Sequence, residues 1–382
     1  MEEIVIFGAG TWGELAYYYY RNRCDIKYYI DNDSNKWNTY LNGIKVVSPD
    51  ILHKYRYKVI VANRLYEKVI RKQLFDNYKI AKVINFHVEV EYQEFFEEEN
   101  DGEEELIISF KGGLGNQMFQ YALYRNYINL GKNVRVDDLF YISTGVMPFE
   151  LTDVFQNINL KRCSPQQRYF YLNEEVEKLY EETEILNDLK ISYNKDILQK
   201  SSGYIKGYHQ TYLYAENVKK DLIHDFKFDY KKEKKLEEMK RFFDSTPFIA
   251  IHIRRGDYLK KENEKIFGQI CTLSYYKKAI NYVKEKLPEA RFCFFSDDIP
   301  WVKKIFKEEN SIYMCKELFD NYQNWYDMFL MSICKHNIIA NSTFSWWGAW
   351  LNQYPEKIVI APKKWINADA MFDICPPDWI RI

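Results

Sequence analysis

Phe248-Ile249-Ala250-Ile251-His252-Ile253-Arg254-Arg255-Gly256-Asp257-Tyr258 is the stretch from which the rest of the chain is read. It opens as a short apolar run and ends in a polar turn containing glycine, the pattern of a strand buried on both faces of a parallel sheet. His252, Arg254, Arg255 and Asp257 then fall at the carboxyl end of that strand. In open α/β sheets that edge is where ligands bind. Paired arginines alone read as solvated surface charge. Grouped with an imidazole, a glycine and a carboxylate, they read as equipment for holding a diphosphate.

The same order of strand, glycine turn and helix recurs twice upstream. Ile4-Val5-Ile6-Phe7 leads into Gly8-Ala9-Gly10-Thr11-Trp12-Gly13 and a helical run through Tyr20. Gly8, Gly10 and Gly13 suit a tight turn and close helix packing, with helix amides offered to an anion. A second strand, Ile26 to Ile30, ends at Asp31, near where a ribose-binding carboxylate would lie. Ser48-Pro49 starts a short helix, and Lys58 to Ala62 and Lys82 to Ile84 complete a four-stranded doubly wound unit. Two readings stand for this motif: a nucleotide or sugar-nucleotide site, and a purely structural turn.

Residues 89–105, with Glu97-Glu98-Glu99 and Glu103-Glu104-Glu105, form an acidic connector whose charge density favours exposure. Beyond it, Leu106-Ile107-Ile108-Ser109 is followed by Lys111-Gly112-Gly113-Leu114-Gly115-Asn116-Gln117. A helix then begins, with Met118, Phe119, Ala122 and Leu123 on one buried face. Glycines before a helix let a backbone approach a ligand, and Asn116 and Gln117 add uncharged donors. Gly203 to Gln210 reads as a strand finishing in Tyr208, His209 and Gln210, which suit either a sugar or a hydrogen-bonded core.

The last third holds the most chemistry. A helix from Ser274 to about Lys286 precedes Phe292-Cys293-Phe294-Phe295-Ser296-Asp297-Asp298. The two carboxylates are suited to a purine's ring NH and exocyclic amine, to a divalent metal, or to capping the helix near Pro300. A helix from Tyr322 to Lys335 feeds the strand Ile338-Ile339-Ala340 and then Asn341-Ser342-Thr343-Phe344-Ser345-Trp346-Trp347-Gly348-Ala349-Trp350. Hydroxyls and amides at this turn grip phosphate oxygens without adding charge, and the tryptophans pack behind them.

Composition narrows the field. The chain has 382 residues, 47% of them apolar, enough for two or three domains with their own cores. With 54 basic and 55 acidic residues its net charge is −1, which argues against a nucleic-acid partner. The seven cysteines are scattered without a CxxC pair and read as buried free thiols of a reducing compartment. No apolar stretch approaches the roughly 20 residues that span a bilayer. The acidic start Met1-Glu2-Glu3 lacks the features of a signal peptide, so the expectation is a soluble cytoplasmic protein, with peripheral association at the inner membrane face left open.

Taken in order, GGLGNQMFQYA from Gly112, HIRRGDY from His252, FSDD from Phe295 and NSTFSWWGAWL from Asn341 resemble the signature set of glycosyltransferase family 11, the α-1,2-fucosyltransferases that use GDP-fucose. The resemblance runs from Leu106 to the carboxyl terminus, and the first unit is similar to small Rossmann-like domains attached to bacterial sugar-modifying enzymes. It implies an α/β fold with a GT-B-like pair of Rossmann-type lobes, residues 106–245 on the acceptor side and 246–382 holding the donor. A small doubly wound Rossmann-like domain (residues 1–88) and the acidic linker precede them.

The resemblance further implies an inverting transfer of L-fucose from GDP-β-L-fucose to the 2-hydroxyl of a terminal β-galactoside. The acceptor would be a glycan, free or lipid-linked, of bacterial O-antigen or capsule synthesis. It places Arg254 on the β-phosphate, and His252 with Asp297 or Asp298 on the guanine. Ser342, Thr343 and Ser345 would lie near the diphosphate, with Gly113, Gly115 and Asn116 approaching from the other lobe. Arg255 would contact phosphate or brace the loop through Asp257, itself the one motif carboxylate to nominate as a base. No cofactor or metal is expected, because an arginine about 4 Å from a phosphate provides on the order of 4 kcal/mol at an effective dielectric of 20. The rivals are another GDP-sugar or linkage, and a non-catalytic sugar-nucleotide sensor.

Overall fold

The computed structural model describes residues 1–63, 65–86, 104–138, 140–141, 147–164, 167–168, 179–181, 193–307, 310–368 and 373–382. The acidic connector over 89–103 lies outside them. Glu105, counted with that connector, is buried and pairs with Arg135, so the acidic run ends inside the second unit.

Each of three units is built on a sheet. The first contains β1 (Glu2–Phe7), β2 (Cys24–Ile30), β3 (Tyr40–Leu41), β4 (Ile44–Val47), β5 (Lys58–Val61) and β6 (Ile84–Asn85), in the order β3-β4-β2-β1-β5-β6. All neighbours run parallel except β3 and β4, a hairpin turned by Asn42 and Gly43, which both have positive φ. The sequence reading passed over this hairpin, so four expected strands are six. Gly8 and Gly13 permit the helix Thr11–Tyr20 to lie close to the sheet. A Cβ on Gly8 would stand 2.4 Å from the Ala62 carbonyl oxygen, and one on Gly13 would stand 1.8 Å from that of Gly8.

The second sheet, of β7 (Leu106–Ser109), β8 (Val134–Asp137), β9 (Leu179–Glu181) and β10 (Gly203–Lys206), has the order β8-β7-β10-β9 and is parallel throughout. The third contains β11 (Ile249–Ile253), β12 (Phe292–Ser296), β13 (Ile312–Tyr313), β14 (His336–Ile338), β15 (Val359–Ala361) and β16 (Ile380–Arg381). Its order is β13-β12-β11-β14-β15-β16, again all parallel. Every residue of β11 is buried, as its apolar run requires, and the strand sits centrally.

The two larger lobes are welded together. One hydrophobic core runs through both, and Phe119 of the helix Leu114–Asn129 packs against Trp346 and Trp347 at ring-centroid distances of 4.6 and 5.0 Å. The apolar face read from Met118, Phe119, Ala122 and Leu123 is fully buried in this shared core. All seven cysteines are free; Cys293, Cys334 and Cys375 are buried and the other four half-buried. No helix among the described residues is long and apolar enough to cross a membrane.

Candidate functional site

The carboxyl edges of the second and third sheets meet at the amino-terminal turns of two helices. The helix Leu114–Asn129 starts after Gly112, whose φ of +84° is a left-handed value that glycine adopts freely. The helix Thr343–Trp350 starts after the β14 strand end. A Cβ on Gly115 would stand 2.7 Å from the Thr343 carbonyl carbon, and the Trp347 indole N–H donates to the Gly115 carbonyl oxygen at 2.9 Å. Asn116 Oδ1 accepts from Thr343 Oγ1 at 3.1 Å and from Gln210 Nε2 at 2.9 Å. The N-cap residues, Gly113 and Ser342, make no side-chain cap bond. The Leu114 N–H is met by the Glu150 carboxylate, and the two positive helix ends converge on one place, a setting for an anion.

The Arg254 turn flanks them. Arg254 Nη2 lies 2.8 Å from Asp257 Oδ1 and its Nη1 lies 3.2 Å from Asp297 Oδ2. The Asp257 contact is at ion-pair distance but outside good hydrogen-bond alignment. Burial works against the guanidinium charge, yet these two carboxylates hold its pKa above the usual value. Asp297 also accepts the backbone N–H groups of Arg255 and Gly256, at 2.9 and 3.0 Å, and so fixes the turn. A Cβ on Gly256 would meet Asp297 Oδ2 at 2.8 Å. His252 is 6% exposed, and its Nδ1 has no hydrogen-bond partner. Burial first, then the Arg254 charge, push its pKa down to about 3, which keeps the imidazole neutral at pH 7.

Several residues read as ligand contacts are committed to the protein. Gln117 is fully buried; its amide donates to the carbonyls of Gly112 and Pro148 and accepts from the N–H groups of Glu150 and Leu151. Asn341 donates to the Phe267 and Trp365 carbonyls at 3.1 and 3.0 Å, and the buried Ser345 hydroxyl turns back to Ser342 O. All three brace the cleft from behind. Arg255 is braced by Asp298 at 3.1 Å and stacks 3.8 Å above the Trp301 ring; Asp257 pairs with Arg254 instead, because adjacent side chains leave the turn in different directions. Asp298 also caps the helix Ile299–Ile305 by accepting from Trp301 N at 3.2 Å, which bears out one of its three readings. Gly113 faces open space, and Ser342 and Thr343 stand at the helix start.

Sequence reading gave no role to the Lys111 ammonium. It lies 4.5 Å from the centre of the Tyr208 ring, on the same sheet edge. The signal was its place immediately before Gly112-Gly113.

The first unit's glycine turn is closed by its own residues. Asp31 Oδ2 accepts the Ala9 N–H at 2.8 Å and pairs with Lys36 at 3.1 Å, while Oδ1 accepts from Asp33 N at 2.9 Å. Gly8 and Gly13 serve packing; Gly10, the N-cap of the helix, faces open space. Among the described residues no group of three or more His, Cys, Asp or Glu side chains is placed to hold a metal ion.

The profile of glycosyl transferase family 11 matches residues 74–382, and that of a C2185-like, N-terminal domain matches residues 1–84. An α-1,2-colitosyltransferase of Escherichia coli is 33% identical over 309 residues, covering 72% of this chain and 98% of its own. An Escherichia coli protein named O-antigen biosynthesis glycosyltransferase WbnK is 29% identical, covering 71% and 98%. Galactoside 2-α-L-fucosyltransferase SEC1 of Bos taurus is 22% identical, covering 64% of each chain.

Proposed function

The chain belongs to glycosyltransferase family 11, and on that premise we propose that it is an inverting α-1,2-fucosyltransferase. It moves L-fucose from GDP-β-L-fucose to the 2-hydroxyl of a terminal β-galactoside during bacterial surface-polysaccharide assembly. The observation that carries the reading is the convergence of two helix starts, at Gly113 and Ser342, beside the Arg254 turn, which reaches the second through the Tyr258 hydroxyl on the Asn341 carbonyl. That arrangement suits a diphosphate that gains charge as a bond to it breaks.

In the reaction the acceptor hydroxyl attacks the fucosyl anomeric carbon from the face opposite GDP. The bond between that carbon and the β-phosphate oxygen breaks, and its electron pair leaves with the phosphate. Arg254 and the amides at the two helix starts meet the developing charge, in place of a divalent ion. Asp297 holds the turn that aims Arg254, and Asp257 orients its guanidinium. Asp257 is also the motif carboxylate to nominate for taking the hydroxyl proton, a demand kept small by an oxocarbenium-like transition state. The neutral, unpartnered Nδ1 of His252 is suited to the guanine. We place the protein in the cytoplasm, acting on a lipid-linked intermediate.

A second reading changes only the sugar. A 33% identical relative is named a colitosyltransferase, and its α-1,2 linkage is shared with the reading above. Acceptor-dependent GDP release, measured with GDP-fucose, GDP-colitose and GDP-mannose in EDTA, separates the cases. Release with GDP-fucose and a β-galactoside supports the proposal. Release with GDP-colitose alone moves it to the second reading, and no release with any donor favours a sugar-nucleotide sensor.

A further inference from the structure

Glu14 follows Gly13 directly, in the first turn of the helix Thr11–Tyr20. Its carboxylate is buried and pairs with Arg168, a residue 154 positions away in the second unit. Arg168 is itself buried and grips Asp137 with two contacts, Nε to Oδ2 and Nη2 to Oδ1, both 2.7 Å. Asp137, the last residue of β8, also accepts from the Tyr204 hydroxyl on β10. The three charged side chains are 4 to 5% exposed, so this is a sealed ionic contact between domains.

The chain of contacts does not stop at Asp137. Its carbonyl accepts the Phe110 N–H at 2.8 Å, two residues before Gly112. The segment after it brings Tyr141 back to the glycine turn, where the phenol donates to the Gly112 carbonyl at 2.8 Å. Tyr141 N is held in turn by Asp138 O at 3.1 Å. Asp137 thus holds the backbone entering the Gly112 turn, and its neighbour Asp138 holds Tyr141, which bonds that turn's carbonyl.

We propose that residues 1–86 are a positioning domain for the reactive cleft, with Glu14 acting through Arg168 and Asp137 to fix the turn at Gly112 and Gly113. Glu14 touches no substrate; it is a positioning residue. The idea rests on the transfer reaction above only in taking that turn as part of the cleft. Two features of the first unit agree with it. The loop amide of Ala9 is already given to Asp31, and the first helical turn carries a carboxylate where a phosphate-binding helix would need none.

Physically, Arg168 is shared between two buried carboxylates, and losing Glu14 leaves the Asp137 pair in place but strands the Nη1 donor without a partner in a dry site. Local opening should then spread along the hydrogen bonds just described. The test is hydrogen–deuterium exchange on the full chain, comparing peptides over 107–121 and 250–258 in the parent, Glu14→Leu and Glu14→Gln. Glu14→Leu is expected to raise exchange over 107–121 by about tenfold and leave 250–258 unchanged. Glu14→Gln, which keeps the shape and is the variant to rely on should Leu fail to fold, is expected to raise it by a smaller factor. A rise confined to residues 1–86, with 107–121 as in the parent, overturns the proposal and leaves Glu14 as a docking contact only. Exchange needs no donor or acceptor, so failure of the transfer reading itself would show separately, as a parent protein that releases no GDP.

Discussion

Trp347 donates its indole N–H to the Gly115 carbonyl oxygen across the junction of the two large lobes, at 2.9 Å. The bond ties the first turn of one helix to the second turn of the other, so the two positive helix ends hold a fixed distance without any ligand. The cleft is therefore assembled by the aromatic seam behind it, through Phe119, Trp346 and Trp347.

Gly115→Ala tests that junction. The added methyl would stand 2.7 Å from Thr343 backbone and hydroxyl atoms. Overpacking of this kind costs about 1–3 kcal/mol, and here the relief is to part the lobes. A lower midpoint in urea, with a fall in transfer rate larger than Gly113→Ala produces, is the expected pair of results. Gly113 faces open space, so equal effects at both positions would contradict the packing argument.

Asp297 and Asp298 should separate cleanly. Asp298→Ala removes a helix cap, together with the carboxylate that braces Arg255, and is expected to lower stability by about 1 kcal/mol. Asp297→Ala releases the Arg255 and Gly256 amides and one partner of Arg254. Its main effect should be on kcat, roughly 10- to 100-fold, from misaimed donors at the leaving group. Comparable kcat values for the two variants would remove the positioning role from Asp297.

His252 should make stability fall in acid. Its folded pKa of about 3 lies below the unfolded value near 6.5, so the unfolded chain takes up the proton first. The stabilisation is complete above pH 6.5 and is lost as pH falls toward 3. The stability gap between the parent and His252→Asn, from urea unfolding, is expected to narrow from pH 7.5 to pH 5. A gap independent of pH would show that the imidazole titrates normally.

Asp327 gives the opposite sign. Burial, opposed by a hydrogen bond from Tyr322, pushes its carboxyl up to about 7, and Oδ1 is sealed without a partner. The folded protein keeps a proton that the unfolded chain gives up near pH 3.8, so stability declines as pH rises from 3.8 through 7. Asp327→Asn should raise the melting temperature at pH 8 relative to the parent and change it little at pH 4. A lower melting temperature at pH 8 would contradict the raised pKa.

Much of this was legible in the chain. Gly112, Gly113 and Gly115 before an apolar helix, and Arg254 after a buried strand, announce a ligand edge because backbone approach and strand ends follow from local pattern. What local pattern does not decide is which of two adjacent polar side chains faces the cleft. Asn116 spans the lobes while Gln117, about 100° further round the helix, turns into the core. Asp297 and Asp298 divide in the same way between turn and cap. The β3–β4 hairpin carried a readable Asn42-Gly43 signal that went unused. The Glu14–Arg168 pair carried none, since its partners are distant in sequence and each is unremarkable alone.

The central claim is that a guanidinium at position 254 steadies the departing diphosphate, and steady-state turnover of Arg254→Ala with GDP-fucose and a β-galactoside tests it directly. The account predicts a loss of about 10²–10³-fold or more in kcat, with an unchanged circular dichroism spectrum and melting curve that keeps one cooperative step. Turnover within a few-fold of the parent would contradict it.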